Sequence, residues 1–215
     1  MMMNAKQKVL VWDRFIRFYH WLQLALLVGL WLSMKYDEVD LHMQLGLALL
    51  ALLLVRFIWG YFGSETALFK SLQLHPKGAL DELKQELGGS ERIHIGHSYL
   101  GSYMVLALWI LLLIQLLSGL FNSDDILSDG PLYAYVGEEY YEWFKALHSS
   151  NVDYLFALIA IHILAIGYFC LRKRGYLRAM FSGYKNKDIA SKPNIKPGLW
   201  PILAASLLIA LTLVF

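Results

Sequence analysis

Cysteine is almost missing. The single Cys170 in 215 residues excludes an internal disulfide and any CxxC or CxxCH motif, so neither a redox-active dithiol nor a thioether-attached prosthetic group can be built. A charge excess is missing too: 19 Lys and Arg stand against 17 Asp and Glu, and a net charge of +2 implies no general attraction to nucleic acid. No small-residue cleavage site follows the first apolar run, and the segment 1–8 before it is short and polar. That run is therefore expected to be a retained helix rather than a signal peptide. The last apolar stretch, 199–215, lacks any ionisable side chain, which leaves it packing or anchoring as its only expected task.

What is abundant is apolar surface. The chain is 58% hydrophobic with a mean hydropathy of +0.47, above the ~45–50% apolar content of soluble domains. Runs of about 18–22 apolar residues recur, and in lipid each satisfies its own backbone polar groups only as a helix. Five spans are expected, at 15–34, 41–60, 99–120, 147–171 and 199–215. Cations cluster before the first span (Lys6, Lys8, Arg14, Arg17), after the second (Arg56, Lys70, Lys77, Lys84, Arg92) and after the fourth. That last group is Arg172, Lys173, Arg174, Arg178, Lys185, Lys187, Lys192 and Lys196, whereas the opposite connections carry only Lys35 and Lys145. Because short cytoplasmic segments are enriched in Lys and Arg, the N-terminus is expected in the cytoplasm and the C-terminus outside.

Two connections have character of their own. In 62–96, Pro76 is followed by Leu80, Leu83 and Leu87 at helical spacing and then Gly88-Gly89. This predicts a short amphipathic helix, apolar edge down on the cytoplasmic surface. The connection 122–145 interleaves Asp124, Asp125, Asp129, Glu138, Glu139 and Glu142 with Tyr133, Tyr135, Tyr140, Tyr141 and Trp143. It reads either as an interfacial aromatic belt or as a docking face for a basic electron-transfer partner on the outer side.

Histidines carry the chemistry. His148 and His162 are fourteen residues apart on one expected helix, which brings them to within about 40° of one direction and separates them by about 21 Å. Ionisable side chains inside a bilayer are costly and face the bundle interior with a task to perform. His20, at the cytoplasmic start of the first span, is level with His162; His42, at the outer start of the second, is level with His148. Four histidines on three helices thus form two layers, each offering two imidazoles to one iron. Such bis-imidazole ligation saturates a haem and makes an electron carrier. Without CxxCH the two haems would be noncovalent, of b type. Gly46, one turn after His42, would let a porphyrin approach the helix, and Leu155, seven residues from both His148 and His162, would be an apolar spacer between the layers. Arg17, Arg56 and Arg172 are candidate partners for propionates of the inner haem, although the positive-inside pattern alone would also place them there. His75 reads as a solvated loop residue. His94 and His97 read as surface residues, with a quinone-headgroup site near the inner haem as the alternative. Gln115 and Ser118 are read as hydrogen-bonding across helices.

These residues resemble a known family. Val-Trp-Asp-Arg-Phe-Ile-Arg-Phe-Tyr-His-Trp from Val11, Leu-His-Met-Gln-Leu-Gly from Leu41, Arg-Phe-Ile-Trp-Gly from Arg56, and His148 through Arg-Ala-Met-Phe-Ser-Gly-Tyr-Lys resemble the prokaryotic cytochrome b561 family. That family includes the b subunits of nickel–iron hydrogenases and resembles the gamma subunit of formate dehydrogenase. The resemblance covers 9–187 and implies an all-α integral membrane fold, a four-helix haem-binding bundle; 188–215 lies outside it and, from its own apolar run, is expected to add a linker and a fifth C-terminal transmembrane helix. It implies two b haems, held by His20 with His162 and by His42 with His148. Electrons would pass between a partner, such as a c-type cytochrome or a dehydrogenase subunit, and the quinone pool. The chain would then be the electron-transfer component of a quinone-linked oxidoreductase in the bacterial inner membrane. One departure is Gly-His-Ser-Tyr at Gly96, where the family often has Gly-His-Asn-Pro. Two rival readings remain: a stand-alone superoxide:quinone oxidoreductase, disfavoured by the acidic outer connection, and a haem-free membrane scaffold.

Overall fold

The computed structural model describes residues 7–90, 94–123, 128–187 and 192–213. Lys6, Arg92, Asp124, Asp125 and the last residues of the fifth expected span, to Phe215, lie outside the described residues. Element order is β1 (Gln7–Leu10), α1 (Arg14–Lys35), α2 (Val39–Phe62), α3 (Pro76–Leu87), α4 (Tyr99–Gly119), α5 (Glu138–Leu171), α6 (Tyr176–Ser182), β2 (Tyr184–Lys187) and α7 (Leu199–Thr212). Among the described residues four helices, α1, α2, α4 and α5, are long and apolar enough to cross a membrane. They expose large apolar side chains freely, among them Leu54, Ile58, Ile110, Ile161 and Leu164. Water would penalise such a surface and lipid does not.

The expected boundaries differ from the observed ones at two places. Helix α5 is 34 residues long and starts at Glu138, so the second part of the acidic connection is helical. Glu138 and Glu139 in its first turn favour that start, because carboxylates complement the positive helix N-terminus. Helix α7 has 14 residues, about 21 Å of rise, short of the ~30 Å hydrocarbon thickness.

The chain packs as two compact units. One comprises Met1–Phe18, Arg56–Leu106 and His162–Ile202. Here the opening and closing stretches of the family resemblance meet. β1 pairs antiparallel with β2, Gln7 opposite Lys187 and Leu10 opposite Tyr184. The ladder continues as Val11 N–H and Trp12 N–H donate to Gly183 O at 2.8 and 3.2 Å. Gly183 has φ +85°, and a Cβ there would lie 2.8 Å from Trp12 O, so the close approach requires glycine. Asp13 ends the strand and starts the helix: its Oδ1 accepts from Ile16 N–H at 2.8 Å as the N-cap of α1. Its Oδ2 accepts from Trp59 Nε1–H at 2.9 Å. Phe15 and Trp59 pack edge to face at 5.9 Å, and Trp200 meets Trp59 at 5.6 Å.

Helix α3 belongs to the same unit. It begins and ends as its proline and glycines predict, but His75 is its N-cap rather than a merely solvated residue, Nδ1 accepting from Gly78 N–H at 3.2 Å.

The second unit comprises Tyr19–Val55, Ala107–Ile161 and Leu203–Phe215. Its apolar interior includes Leu26, Leu49, Leu52, Leu53, Leu112, Leu116 and Leu155. Within it Asn151, 4% exposed on α5, donates from Nδ2 to Leu111 O at 2.9 Å and to Gln115 Oε1 at 2.7 Å. Two donor contacts satisfy an amide that would otherwise be expensive among these leucines.

Candidate haem-ligand site

In the second unit His42, on α2, and His148, on α5, face one another with ring centres 6.3 Å apart and ring planes crossed at 83°. Each is held the same way. His42 Nδ1–H donates to Leu30 O at 3.1 Å and lies 3.3 Å from Ser33 Oγ. His148 Nδ1–H donates to Gln115 O at 2.9 Å and lies 3.2 Å from Ser118 Oγ. The carbonyl–serine spacing is three residues in both cases, and each serine hydroxyl spends its own proton on its helix: Ser33 on Leu30 O, Ser118 on Ile114 O. A carbonyl oxygen can only accept, so Nδ1 carries the proton in both rings and the Nε2 lone pair is left for another partner. That is the arrangement by which proteins orient a metal-binding imidazole.

The gap between the rings has a meaning in these terms. Two imidazoles bound to one metal at about 2 Å each, with about 1 Å from each nitrogen to its ring centre, would stand about 6 Å centre to centre. Small residues make room beside them. A Cβ built on Gly119 would meet His148 Cε1 at 3.0 Å, so His148 lies directly against α4 where a side chain is missing. A Cβ on Gly46, one turn from His42, would meet nothing within 4 Å, so the surface there is open, as a flat macrocycle would need. Leu155 is 3% exposed, as an apolar spacer should be. Gln115 braces the pair further, its Nε2–H donating to His148 O at 3.1 Å. The donor set and the open face above Gly46 fit a haem.

His20 and His162 fall in different units. His20 is half-buried on α1 with Nδ1 out of solvent and its ring 5.0 Å from Trp21. His162 is half-buried on α5. Arg17 braces the joint of the first unit, donating from Nη1 to Phe181 O at 2.9 Å and from Nε to Asp13 O at 3.3 Å. Arg56, 3% exposed, donates to Ala67 O at 3.0 Å and lies 6.0 Å over the Phe69 ring. Arg172 lies over Tyr168 at 5.3 Å.

His94 and His97 are not surface residues. The His94 side chain is 9% exposed, 4.0 Å from Glu82, with its ring against Tyr99 at 5.7 Å. It lines an open cavity of about 390 Å³ together with Glu65, Thr66, Ser71, Gln73, Ile95 and Pro193. His97 rests on the Trp12 ring at 4.8 Å with Nδ1 buried. Burial first, and the charges of Arg56 and Lys185 second, push its pKa down to about 3, so it is neutral at physiological pH.

Ser33, Gln115, Ser118 and Gly119 complete the site. Of these the sequence pointed only to Gln115 and Ser118, and only as cross-helix hydrogen-bonding residues. The family comparison bears on the same ground: the model of prokaryotic cytochrome b561 matches residues 11–183. The chain belongs to the prokaryotic cytochrome b561 family. The matched region opens at Val11 and closes at Gly183, the two residues that join the ends of the first unit through a backbone hydrogen bond. A b561 protein is a multi-pass membrane b-type cytochrome of electron transfer, and the four apolar helices agree with that. Comparison with curated proteins finds no match.

Proposed function

We propose that this b561 protein carries two b haems and passes electrons across the inner membrane between a redox partner on the outer side and the quinone pool. The observation that supports this best is the His42–His148 pair: two imidazoles 6.3 Å apart, each with Nδ1–H committed to a backbone carbonyl. Haem iron, alternating between ferrous and ferric states, supplies a one-electron carrier at each position. In this reading His42 and His148 would hold the outer haem and His20 and His162 the inner one. The inner pair rests on sequence motif and expected depth. Gly46 admits the outer macrocycle, while Leu155 keeps water and polar groups out of the space between layers. Arg17 and Arg56 are the proposed cationic partners of the inner propionates. A quinone headgroup would find hydrogen-bonding groups at His94 in the cavity it lines. On the outer side the acidic stretch from Asp129 to Glu142 would receive a basic partner.

The test is haem stoichiometry by pyridine haemochrome on detergent-purified protein, with His148→Ala and His162→Ala beside the parent. Two haems per chain, falling to one in each variant, is the expected result. One haem in the parent would overturn the two-layer reading, and the variant that empties it would show which layer exists. No haem after expression with ample haem supply would leave the scaffold reading.

A further inference from the structure

Helix α3 is built inside out for a soluble segment. Its leucines point away from the protein, with Leu80 52%, Leu83 43% and Leu87 80% exposed, while Glu82 and Glu86 are 5% and 9% exposed. The buried acids have specific work. Glu82 Oε2 accepts from Leu100 N–H at 3.0 Å, capping the first turn of α4 from outside that helix. Glu86 Oε2 accepts from Arg174 Nη2–H at 2.9 Å. Gly78 packs so closely on Tyr99 that a Cβ would lie 2.6 Å from the ring. The acidic face is therefore the anchored one, fixed to the residues where the apolar span α4 begins. On the other side, at 100° per residue, Leu80, Leu83 and Leu87 fall within about 60°, and Lys77 and Lys84 flank them within about 60° of Leu80 on one edge. Both lysines are exposed.

We infer that this face, Leu80, Leu83 and Leu87 with Lys77 and Lys84, rests on a bilayer surface bearing anionic headgroups. A helix tied to the first turn of a membrane span sits at headgroup depth. Exposed leucines lower their cost there by entering the acyl boundary, while lysine stems reach back to headgroup phosphates. Of the three carboxylates on the helix, Glu82 and Glu86 are turned inward, while the exposed Asp81 lies about 100° from Leu80, past the lysine edge, so the leucine stripe itself is bordered by positive charge. The inference needs the membrane location and none of the haem ligands, so the two can fail separately.

The test uses the full chain in a Cys170→Ser background, nitroxide-labelled at Leu83→Cys or, as an off-stripe control, at the exposed Asp81→Cys. Each is reconstituted into phosphatidylcholine vesicles with or without phosphatidylglycerol, and collision with oxygen and with a nickel chelate is read by electron paramagnetic resonance. The oxygen-to-nickel ratio at 83 should exceed that at 81 severalfold in phosphatidylglycerol vesicles. Without the anionic lipid, or with Lys77→Gln and Lys84→Gln, it should fall. Equal ratios at 83 and 81 would place the stripe in water and overturn the inference. Low collision with both reagents at 83 would mean that a second copy or another protein covers it. A high ratio indifferent to phosphatidylglycerol and to the lysines would remove the anionic-lipid assignment.

Discussion

A histidine becomes a metal ligand through what its other nitrogen does. Ser33 with Leu30 O, and Ser118 with Gln115 O, fix the tautomer of His42 and His148 and hold the ring planes 83° apart. Neutral carbonyl and hydroxyl acceptors give a moderately basic imidazole, less electron-donating than one paired with a carboxylate. Ser118→Ala should keep the protein folded, raise the midpoint potential of one haem and weaken its retention by up to about tenfold. A redox titration checks this, and a parent-like potential would reduce Ser118 to packing. Gly119→Val, which drives a side chain into the space of the His148 ring, should empty the same site. That His42 and His148 face one another, beside an open surface at Gly46, was legible in the sequence because depth and helical period are sequence properties. Ser33 and Gly119 were not, since their partners lie on other helices and no spacing encodes them. His97 reads as a surface residue from its place at the start of a span, but its ring rests on Trp12 and is buried within the charge field of Arg56 and Lys185. With its pKa near 3 when folded and near 6.5 when unfolded, only the unfolded chain takes up a proton as pH falls below about 6.5. Stability should thus decline from about pH 6.5 toward pH 3, and His97→Gln should flatten that slope in unfolding temperatures measured across the range.

At the scale of elements, apolar runs located the four long helices, though not the early start of α5 or the shortness of α7, and proline and glycine located α3. The small sheet escaped notice because a four-residue strand at Gln7–Leu10 and its partner at Tyr184–Lys187 are joined only by the folded chain. Their meeting gives the opening Val-Trp-Asp motif a structural meaning. Asp13 at once caps α1 and accepts from the Trp59 indole while only 2% exposed. Asp13→Ala should lose the cap, about 1 kcal/mol, and strand a buried N–H, about 1–3 kcal/mol, for a total of about 2–4 kcal/mol. Asp13→Asn, which keeps one acceptor, should lose less. Thermal unfolding in detergent reads both, and equal losses would mean that charge rather than capping is what the site needs.

For the whole molecule, orientation would decide which layer of the proposed two-haem arrangement faces which side of the membrane, and the distribution of Lys and Arg is the property that sets it. The single cysteine offers a direct reading. Cys170 is exposed and sits one residue before the end of α5, followed at once by Arg172, Lys173 and Arg174. A membrane-impermeant maleimide should therefore label it in inverted vesicles and leave it unlabelled in intact spheroplasts. The complementary probe is Tyr135→Cys in a Cys170→Ser background. Tyr135 is 82% exposed within the acidic connection that precedes α5, and at that position the two preparations should exchange roles. The α5 helix joins the two probes without a break from Glu138 to Leu171 and is long enough to cross, so the two sites must answer oppositely whichever way the protein inserts. The reverse pattern at both would turn the protein over, setting the acidic connection against the cytoplasm and His20 with His162 toward the outer partner. The same pattern at both positions would mean that α5 does not span.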